Sequence, residues 1–588
     1  MDSKHVTEST SGQEDIQKTW WKEAIIYQIY PRSFQDSDGD GIGDLNGITS
    51  RLDYIQSLGV DIIWLNPIFL SPNDDNGYDI SDYREIMREF GTMEDFDRLL
   101  KEIHKREMRL VLDLVVNHTS DEHPWFEEAR KSRHNSYYNY YHWWPAEKGE
   151  PPLRLSYFDE EGNAWTYNKP TDSYYLHYFS RKQPDLNWEN PEVRQEIFDM
   201  MRFWFDKGID GFRMDSISLI AKDPSFPLID SKKYPDIFSF YAKEPRLHLY
   251  LHEMNRQALS KYDCMSVGEG SAVMVDDVAK FVDPAREELN MLYHFDAARI
   301  RNTTLPDNPE SGIDYSLIAL KKMFTEWDKA VDKGWPSIYL GNHDQPRMVS
   351  RFGSDKDEFR ALSAKMLITF LLTMRGTPYW FAGDEIGMRN IRFDHIEDYN
   401  DIDTINRYKK AKAEGKDPQA VLDEQKETGR DNARTPFQWD RSPEAGFTAG
   451  TPWLKVNPDY TWINVADEEK DPTSILNYFK KVVSFRKENP SLIYGSYHLL
   501  DAENPQSYTF LRKTGADTYL IMLNFSPKAA ISTPGIDMSN AHVLLDNYGD
   551  RSHMAPQKDI TLRPFEAIVF QLNHPVYESF IDSLDLLE

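Results

Sequence analysis

The chain has 588 residues, which is more than one hydrophobic core normally serves, so we expect at least two domains. Its 97 acidic and 68 basic side chains give a formal net charge of −29, and this charge repels phosphate backbones and anionic membrane surfaces. We therefore expect neither nucleic acid nor a membrane as a partner. A small neutral molecule such as a sugar meets no such repulsion.

The N-terminal segment 1–19 is polar and is predicted to be disordered, without an apolar run of signal-peptide length. Cys264 is the only cysteine, so no disulfide can form within the chain and a reducing compartment fits best. We expect a cytoplasmic location, or a periplasmic one if a signal peptide has been removed. The most apolar predicted helix, Ala361 to Met374, is shorter than the roughly 18 residues needed to cross a bilayer. The expected state is a monomer or weak homodimer.

Short apolar runs alternate with longer amphipathic stretches along most of the chain. Continuous apolar strands of this kind are typical of parallel sheets covered on both faces, and amphipathic segments such as 93–107 and 191–207 supply the helices. The eight strand-like runs are Ile25 to Phe34, Ile62 to Ser71, Arg109 to His118, Gly211 to Ile217, Met265 to Gly270, Leu292 to Asp296, Pro336 to Asp344 and Thr377 to Gly387. They predict an α/β fold, a closed (β/α)8 TIM barrel.

Two segments depart from a plain barrel. The stretch 118–189, rich in Tyr, Trp and Pro, is too long for an ordinary loop and predicts an inserted subdomain after strand three, over the barrel mouth. Over 491–588, alternating strands separated by Gly, Pro and Asn turns predict an antiparallel β domain. The barrel is then formed by 20–117 and 190–490. The charged region 409–426 is predicted to be one solvated helix.

Polar residues follow nearly every predicted strand at its carboxyl end, which is where the active sites of such barrels lie. They are Asp113, Asn117 and His118 on strand three, Arg213 and Asp215 on strand four, Glu269 on strand five, and Asn342, His343 and Asp344 on strand seven. Three of the carboxylates, two histidines and an arginine are therefore expected to face one pocket. For Asp113 a structural role is favoured over catalysis.

A pair of carboxyl groups is what cleavage of a glycosidic bond requires. One carboxylate attacks the anomeric carbon, a protonated one donates to the leaving oxygen, and retaining enzymes place the two about 5 Å apart. Asp215 and Glu269 lie on neighbouring predicted strands and suit that spacing. We expect Arg213 to keep Asp215 ionised, whereas Glu269 needs a raised pKa to hold its proton.

Several segments resemble those of a known family. The motifs DLVVNH at 113–118, GFRMD at 211–215, Gly268-Glu269 and NHD at 342–344 resemble the conserved regions of the α-amylase clan of glycoside hydrolases, family 13. QPDLNW at 183–188, the turn at 75–78 and RTPFQW at 434–439 are similar to its oligo-1,6-glucosidase and α-glucosidase subfamily. The resemblance covers the chain from about Trp21 to Leu572.

The resemblance implies roles for the matching positions. It makes Asp215 the nucleophile, Glu269 the general acid and base, and Asp344 the third carboxylate, which holds the ring hydroxyls of the sugar. The implied substrate-binding positions are Asp75, Tyr78, His118, Phe179, Arg213, His343 and Arg430. Among these, Asp75 and Arg430 correspond to a pair that closes the pocket at the terminal 4-hydroxyl, which implies exo action. Simple packing stays an alternative for the two aromatic side chains, Tyr78 and Phe179.

One acidic loop after strand one predicts a metal site. Asp36, Asp38, Asp40, Ile42 and Asp44 place oxygens at positions 1, 3, 5, 7 and 9 of an EF-hand-type loop, with Gly41 at the turn position. Position 12 is Gly47 in place of the usual glutamate, so the loop is not an EF-hand. Calcium is the expected ion, and the resemblance supports a structural calcium here. A solvated acidic turn without metal is the alternative.

Two departures from the subfamily pattern leave the reaction outcome open. The residue after the nucleophile is Ser216, whereas in the family valine accompanies α-1,6 preference and threonine α-1,4 preference, so α-1,6 bonds, α-1,4 bonds and sucrose all stay open. Arg299 and Arg301 follow strand six, where typical glucosidases have an acidic segment, and paired arginines there resemble those of sucrose isomerases. A sucrose isomerase or transglucosidase is therefore the main alternative to hydrolysis.

A non-catalytic role is the remote alternative. The heavy-chain subunits of amino-acid transporters share the barrel, but they lack the carboxylates and carry an anchoring helix. Asp215, Glu269 and Asp344 are all present here, and no membrane span is predicted. The sequence therefore favours an enzyme, and an α-glucosidase first.

Overall fold

The computed structural model describes residues 18–158, 163–230, 232–233, 237–296, 316–515, 517–536, 538, 541–551 and 558–572. The predicted disordered segment lies outside this range up to residue 17. In the described part of the chain, no helix combines the length and the apolar character needed to cross a membrane.

Eight parallel strands form the central sheet, in the spatial order six, five, four, three, two, one, eight, seven. Strand one pairs with both strand two and strand eight, so the sheet curves round on itself. Ser337 joins the two outer strands, because its Oγ donates to the carbonyl oxygen of Leu292 at 2.6 Å. The predicted (β/α)8 barrel is confirmed. Its strands are Ile26–Ile29, Ile62–Leu65, Arg109–Val115, Gly211–Asp215, Met265–Gly270, Met291–His294, Ser337–Ile338 and Thr377–Phe381.

The residues of each strand alternate between two buried surfaces. In the first strand, Ile26 packs inside the barrel with Trp64 and Tyr379, whereas Tyr27 and Ile29 face the surrounding helices. Because both faces are covered, the strand is apolar throughout, as its sequence predicts.

The helices begin and end at residues with capping chemistry. Thr92 and Asp95 form a reciprocal capping box at one helix, and Asn190 caps the next long one, which ends at Gly208 in a left-handed conformation. The α-helices are Trp20–Glu23, Leu45–Ser50, Leu52–Ser57, Met93–Lys105, Pro124–Ala129, Pro191–Lys207, Ile237–Tyr241, Arg246–Gln257, Ala279–Val282, Leu317–Ala330, Met348–Phe352, Arg360–Thr373, Ile402–Ala413, Pro418–Thr428, Asp431–Arg434, Val465–Glu468, Ile475–Glu488 and Ser491–Tyr494.

The segment after barrel strand three carries its own small sheet. Ser173–Leu176 is the central strand and pairs antiparallel with Trp143–Pro145 and Trp165–Asn168. The segment returns to the barrel through an antiparallel bridge between His118 and Asp185. It therefore lies beside the carboxyl end of strand three, where the candidate site residues begin.

The C-terminal part forms a five-stranded antiparallel sheet, as predicted. It is held to the barrel by a buried arginine contact, since Arg512 Nη1 donates to the carbonyl oxygen of Thr373 at 2.5 Å. In spatial order its strands are Ser496–Leu500, Ser507–Thr514, Asp517–Asn524, Ala567–Leu572 and His542–Asp546, and a second pair is Ala530–Ser532 with Ile560–Leu562.

Three local features differ from the sequence expectations. Strand seven pairs only over Ser337–Ile338, because the following residues leave the ladder to carry the site residues 342–344. The single helix predicted over 409–426 is two helices, broken at Gly415, whose φ of 67° is left-handed, and at Pro418. The antiparallel pair Phe69–Leu70 and Asp82–Ile86 was not predicted, and it frames the turn at 75–78.

Candidate active site

Strands three and four place three polar residues together. Asp113 lies opposite Arg213 in the register of these two strands, and Asp215 ends strand four two residues further on. Side chains two residues apart point to the same face of a strand, so Arg213 and Asp215 both enter the barrel mouth. Glu269 reaches the same point from strand five.

One guanidinium binds three carboxylates, and we name Arg213, Asp113, Asp215 and Glu269 the Arg213 cluster. Arg213 NH1 donates to Asp113 Oδ1 at 2.8 Å and to Asp215 Oδ1 at 2.9 Å, while NH2 donates to Glu269 Oε2. Asp215 also lies within hydrogen-bonding reach of Glu269. A retaining pair is this close, whereas an inverting pair leaves a gap of about 6.5 to 9.5 Å for a water molecule.

Two acids of the Arg213 cluster, Asp215 and Asp113, have raised pKa values. Burial raises the pKa of Asp215 well above its usual range, and the charge of Glu269 raises it further, whereas Arg213 opposes both effects. Burial likewise raises the pKa of Asp113 to about 6 against the pull of Arg213. The expectation that Arg213 keeps Asp215 ionised is therefore wrong for the unliganded pocket, because one guanidinium does not offset the burial of three carboxyl groups.

Tyr78 and His343 form one wall of the pocket. Their rings stack with centroids 5.3 Å apart and planes inclined by 5°. The Tyr78 hydroxyl lies 3.0 Å from Asp113 Oδ2 and 2.7 Å from His343 Nε2. Gln28 Nε2 donates to His343 Nδ1 at 2.8 Å, so the ring proton is on Nε2. Burial lowers the pKa of His343 to about 3, which keeps the imidazole neutral.

A second set of charges lies next to His343, and we name Asp75, Asp344, Asp401, Arg430 and Arg434 the Arg430/Arg434 cluster. Arg430 donates to Asp75 at 3.2 Å, to Asp344 at 3.3 Å and to Asp401 at 2.7 Å. Arg434 NH2 donates to Asp344 Oδ1 at 3.0 Å. The predicted pair of Asp75 and Arg430 thus meets across the pocket, and both arginines hold Asp344.

The acids of this cluster are mostly fixed as anions. Burial opposes the charge of Asp344, but His343, Arg430 and Arg434 together hold the pKa of that carboxyl well below its usual range. The two arginines also lower the pKa of Asp401 against the effect of its burial. Asp75 differs, because burial outweighs Arg430 and raises its pKa. Asp344 is therefore a permanent hydrogen-bond acceptor.

His118 and Phe179 complete the predicted set. Their ring centroids lie 5.0 Å apart, and Tyr157 stacks on the other side of Phe179 at 5.0 Å. Burial lowers the pKa of His118 to about 3, so its neutral ring donates from Nε2 to the carbonyl oxygen of Tyr78 at 3.0 Å. The inserted segment thus contributes an apolar wall next to the turn at 75–78.

Sequence reasoning missed two members of the site. Arg434 follows Arg430 by four residues on a short helix, and that spacing was a usable signal for a shared face. Asp401 gave no local signal, because it reaches Arg430 from a separate segment, where it also caps the helix Ile402–Ala413. The predicted pair Arg299 and Arg301 lies outside the described residues.

The acidic loop after strand one brings three of its predicted ligands together. Carboxylate oxygens of Asp36, Asp38 and Asp40 all lie within 4.8 Å of one another. Burial raises the pKa of Asp40, and the charges of the neighbouring aspartates add to the effect although the Ile42 amide opposes it. A hard divalent cation would relieve this repulsion, and an all-oxygen donor set suits calcium.

Asp44, the last predicted ligand, accepts hydrogen bonds from backbone amides. It caps the helix Leu45–Ser50 by accepting from the Gly47 amide at 2.7 Å, and it also accepts from the Ser37 amide at 2.7 Å. Its carboxylate is therefore already engaged by backbone donors, whereas the exposed carboxylates of Asp38 and Asp40 are the ones available to an ion.

Known proteins of this fold were found by sequence and by structure. Residues 28–495 match the model of the alpha-amylase catalytic domain. The chain is 51% identical over 571 residues to the oligo-1,6-glucosidase of Parageobacillus thermoglucosidasius, with 95% of this chain and 100% of that one aligned. It is similar to the isomaltulose synthase PalI of Klebsiella sp. LX3, with a TM-score of 0.90, 41% identity and 95% and 100% coverage. The trehalulose synthase MutB is equally similar, with a TM-score of 0.90, 42% identity and 94% and 100% coverage.

Proposed function

The chain belongs to the alpha-amylase family of glycoside hydrolases, and on that basis we propose that it is an exo-acting, retaining α-glucosidase. It removes terminal nonreducing glucose from disaccharides and short oligosaccharides. The oligo-1,6-glucosidase relative, aligned over its whole length, supports the α-1,6 linkage as the main target. Ser216 leaves α-1,4 bonds and sucrose as further substrates.

The observation that carries this proposal is the contact of Asp215 and Glu269 with one guanidinium, within hydrogen-bonding reach of each other. Two carboxyl groups so close hold one proton between them. With that proton on Glu269, Asp215 is the anion that attacks the anomeric carbon, and Glu269 protonates the departing oxygen. The glycosidic bond breaks, and a glucosyl ester of Asp215 forms.

The second half-reaction reverses the proton transfer. Glu269, now ionised, takes a proton from water, the water oxygen attacks the anomeric carbon, and the ester bond to Asp215 breaks. Asp344, held as an anion by Arg430 and Arg434, accepts hydrogen bonds from sugar hydroxyls. Bonds of this kind that shorten in the transition state raise the rate.

Exo action follows from the contact between Asp75 and Arg430. The two side chains meet at 3.2 Å, and Arg430 is anchored by Asp401 behind it. A chain of sugars has no passage through a buried, paired wall, so only a terminal glucose fits against it.

The assigned mechanism is tested by Asp215→Asn, assayed on p-nitrophenyl α-glucoside. We expect kcat to fall by at least about 10⁴-fold, because the amide does not form the covalent ester. The surface variant Asp172→Asn serves as the matched control and is expected to keep the parent rate. An Asp215→Asn variant as fast as the parent would contradict the mechanism.

A sucrose isomerase is the second candidate, and the likeness to the isomaltulose and trehalulose synthases favours it. Such an enzyme forms the same glucosyl ester but lets the retained fructose attack it before water does. The products formed from sucrose separate the two candidates. Glucose plus fructose indicates the hydrolase, whereas isomaltulose or trehalulose indicates the isomerase. Maltose, isomaltose and trehalose, assayed alongside, define the linkage preference.

We also propose that Asp36, Asp38 and Asp40, with the carbonyl oxygen of Ile42 and with Asp44 behind them, hold a structural calcium ion. The convergence of three carboxylates supports this proposal. Such an ion ties the loop after strand one together and contributes to stability, not to the chemical steps. Isothermal titration of the metal-free protein with calcium tests it.

A cytoplasmic location and a monomeric or weakly dimeric state stay proposals. The single cysteine, Cys264, supports the first, because no disulfide can form within the chain. Cell fractionation tests the location, and light scattering at several protein concentrations tests the oligomeric state.

A further inference from the structure

A buried carboxylate lies beneath the turn that carries Asp75 and Tyr78. Asp79 is 0% exposed, and no lysine or arginine among the described residues forms an ion pair with it. Burying an uncompensated carboxylate costs free energy, so its retention needs a local reason. The reason lies in the donors around it.

Asp79 accepts three hydrogen bonds from residues in and next to the turn. Its Oδ2 accepts from the Asp74 amide at 2.9 Å, and its Oδ1 accepts from the Asp75 amide and from the Ser71 hydroxyl, both at 3.0 Å. An ionised carboxylate accepts from several donors without offering one itself, and these three donors favour the ionised form against burial, which raises the pKa of Asp79 to about 7. Both oxygens are therefore used to fix the backbone of the turn at Asp74 and Asp75.

The turn itself does not have an ordinary backbone. Asn73, Asn76 and Gly77 have left-handed φ values of 65°, 47° and 100°, and the Tyr78 amide closes onto the Asp75 carbonyl oxygen at 3.0 Å. Left-handed residues cost free energy unless the surroundings hold them. The hydrogen bonds from the Asp74 and Asp75 amides to the buried Asp79 stabilise this backbone.

The side chain of Asp75 depends on the position of this backbone. Its Oδ1 accepts from Arg430 at 3.2 Å and its Oδ2 accepts from Gln183 at 3.3 Å. These are long contacts, so a small shift of the turn would break them. We propose that Asp79 is the positioning residue that sets where Asp75 closes the pocket, and hence how strictly the terminal 4-hydroxyl of the sugar is recognised.

This inference rests on the proposed α-glucosidase function and on the contact of Asp75 with the 4-hydroxyl. The test compares p-nitrophenyl α-glucoside with its 4-deoxy analogue for the parent, Asp75→Asn, Asp79→Asn and the double variant. Asparagine at position 79 keeps the shape but turns an N–H donor toward the Asp74 amide or the other two donors. Asp82→Asn, three residues on and bonded only locally to the Arg84 amide, is the charge-matched control.

We expect the parent to prefer the natural substrate by about 10-fold or more in kcat/KM, since a hydrogen bond to a charged group is lost with the 4-hydroxyl. In Asp79→Asn this ratio falls to within about 3-fold, and KM for the natural substrate rises while kcat changes little. In the Asp75→Asn background, the change at position 79 has no further effect on the ratio, because both act through the same carboxylate.

Three outcomes would overturn this inference alone. The first is an Asp79→Asn variant with the parent's ratio, and the second is an equal loss on both substrates, which marks a purely structural role. The third is a multiplicative effect in the double variant. A parent inactive on p-nitrophenyl α-glucoside refutes the proposed function instead, and an unchanged ratio in Asp75→Asn refutes the pocket closure together with this inference. If Asp79→Asn does not fold, Ser71→Ala removes a single bond to Asp79 and is expected to lower the ratio about 2-fold.

Discussion

At one end of the pocket the Arg213 cluster places three carboxylates on one guanidinium, whereas at the other end the Arg430/Arg434 cluster faces three carboxylates with two. The pKa values follow this difference. The pKa values of Asp215 and Asp113 are raised, whereas those of Asp344 and Asp401 are lowered. Asp113, Asp215 and Asp401 are buried and Asp344 is largely so, with 23% of its side chain exposed, so burial alone does not distinguish these four groups. The ratio of arginines to carboxylates does, although Asp75 in the Arg430/Arg434 cluster is an exception, because burial outweighs Arg430 and raises its pKa.

The two charge ratios suit two different functions, proton transfer and hydrogen bonding to the sugar. A cluster with too few positive charges retains a proton that can move, and acid catalysis requires a movable proton. A cluster with nearly balanced charges keeps its carboxylates ionised, and fixed anions are the acceptors that sugar hydroxyls need. The chemistry is therefore expected at Arg213 and the grip on the sugar at Arg430 and Arg434.

Among the variants that change the charge ratio, the largest expected effect comes from Glu269→Gln, which removes one acid from the Arg213 cluster. The kcat for isomaltose should fall by about 10³-fold, because the leaving oxygen loses its proton donor. α-Glucosyl fluoride needs no such donor and should lose far less. The pH dependence of kcat/KM with the fluoride gives the sharper result.

In that profile the acid limb reports the ionisation of Asp215. Burial is the main cause of its raised pKa, and the charge of Glu269 is the next one. Without that charge, the folded-state pKa of Asp215 falls toward its ordinary value, so activity on the fluoride should persist to lower pH than in the parent. The surface change Glu253→Gln should leave the limb in place. An unmoved limb in Glu269→Gln would break the proposed link between the charge ratio and the proton.

The second expected effect, about 30-fold in KM, comes from Arg430→Met. This change leaves Arg434 as the one arginine of a cluster with three carboxylates. The Arg430/Arg434 cluster then has the charge ratio of the Arg213 cluster. The pKa of Asp344 should then rise, because burial already opposes its charge and Arg430 is one of the groups that offset burial. KM should therefore increase further as the pH falls, while kcat at neutral pH changes less.

The measurement is KM for p-nitrophenyl α-glucoside between pH 4 and 8. Arg441→Met, at an exposed arginine paired with Asp467, is the control for the lost positive charge. A pH-independent KM ratio between Arg430→Met and the parent would show that Arg430 acts only as a steric wall.

The charge ratio illustrates what the sequence reveals and what it does not. Asp215, Glu269 and Asp344 were predictable because each follows a recognisable strand of a barrel, and strand ends converge on one face. The balance of arginines and carboxylates at each end of the pocket was not predictable from the sequence. It depends on Asp401 and Arg434, which reach the pocket from segments far along the chain. Burial raises the pKa of Asp215 more than the neighbouring Arg213 lowers it, and the two effects can be compared only in the three-dimensional structure.

The fold shows the same division. The barrel and the C-terminal sheet follow from period and composition, which are local properties. The shortening of strand seven to Ser337–Ile338 does not, because it reflects where the residues at 342–344 must lie. Nor does the pair of strands around the turn at 75–78, because Phe69–Leu70 has only two residues and Asp82–Ile86 has three charged residues among its five, so neither carries a clear periodic signal.

The smallest expected effect lies in a third acidic group, the loop at 36–44, which extends the comparison to a cluster with no arginine. In the described residues, no lysine or arginine forms an ion pair with Asp36, Asp38 or Asp40. If charge balance governs all three sites, a metal ion must take the arginine's place here. Removing calcium with a chelator should then lower Tm by about 2 to 5 °C, as expected for a bound ion of modest affinity. KM and kcat well below Tm should not change, since the loop touches no residue of either cluster.

The control is Asp38→Asn, which removes an exposed ligand but none of the bonds that Asp36 accepts from the Gly39 amide at 2.8 Å and the Gly41 amide at 2.9 Å. Its Tm should be insensitive to the chelator. Equal chelator responses in the variant and the parent would place the ion elsewhere. No response in either protein would mean that backbone amides alone stabilise these carboxylates, and charge balance by a cation would then hold only for the buried clusters.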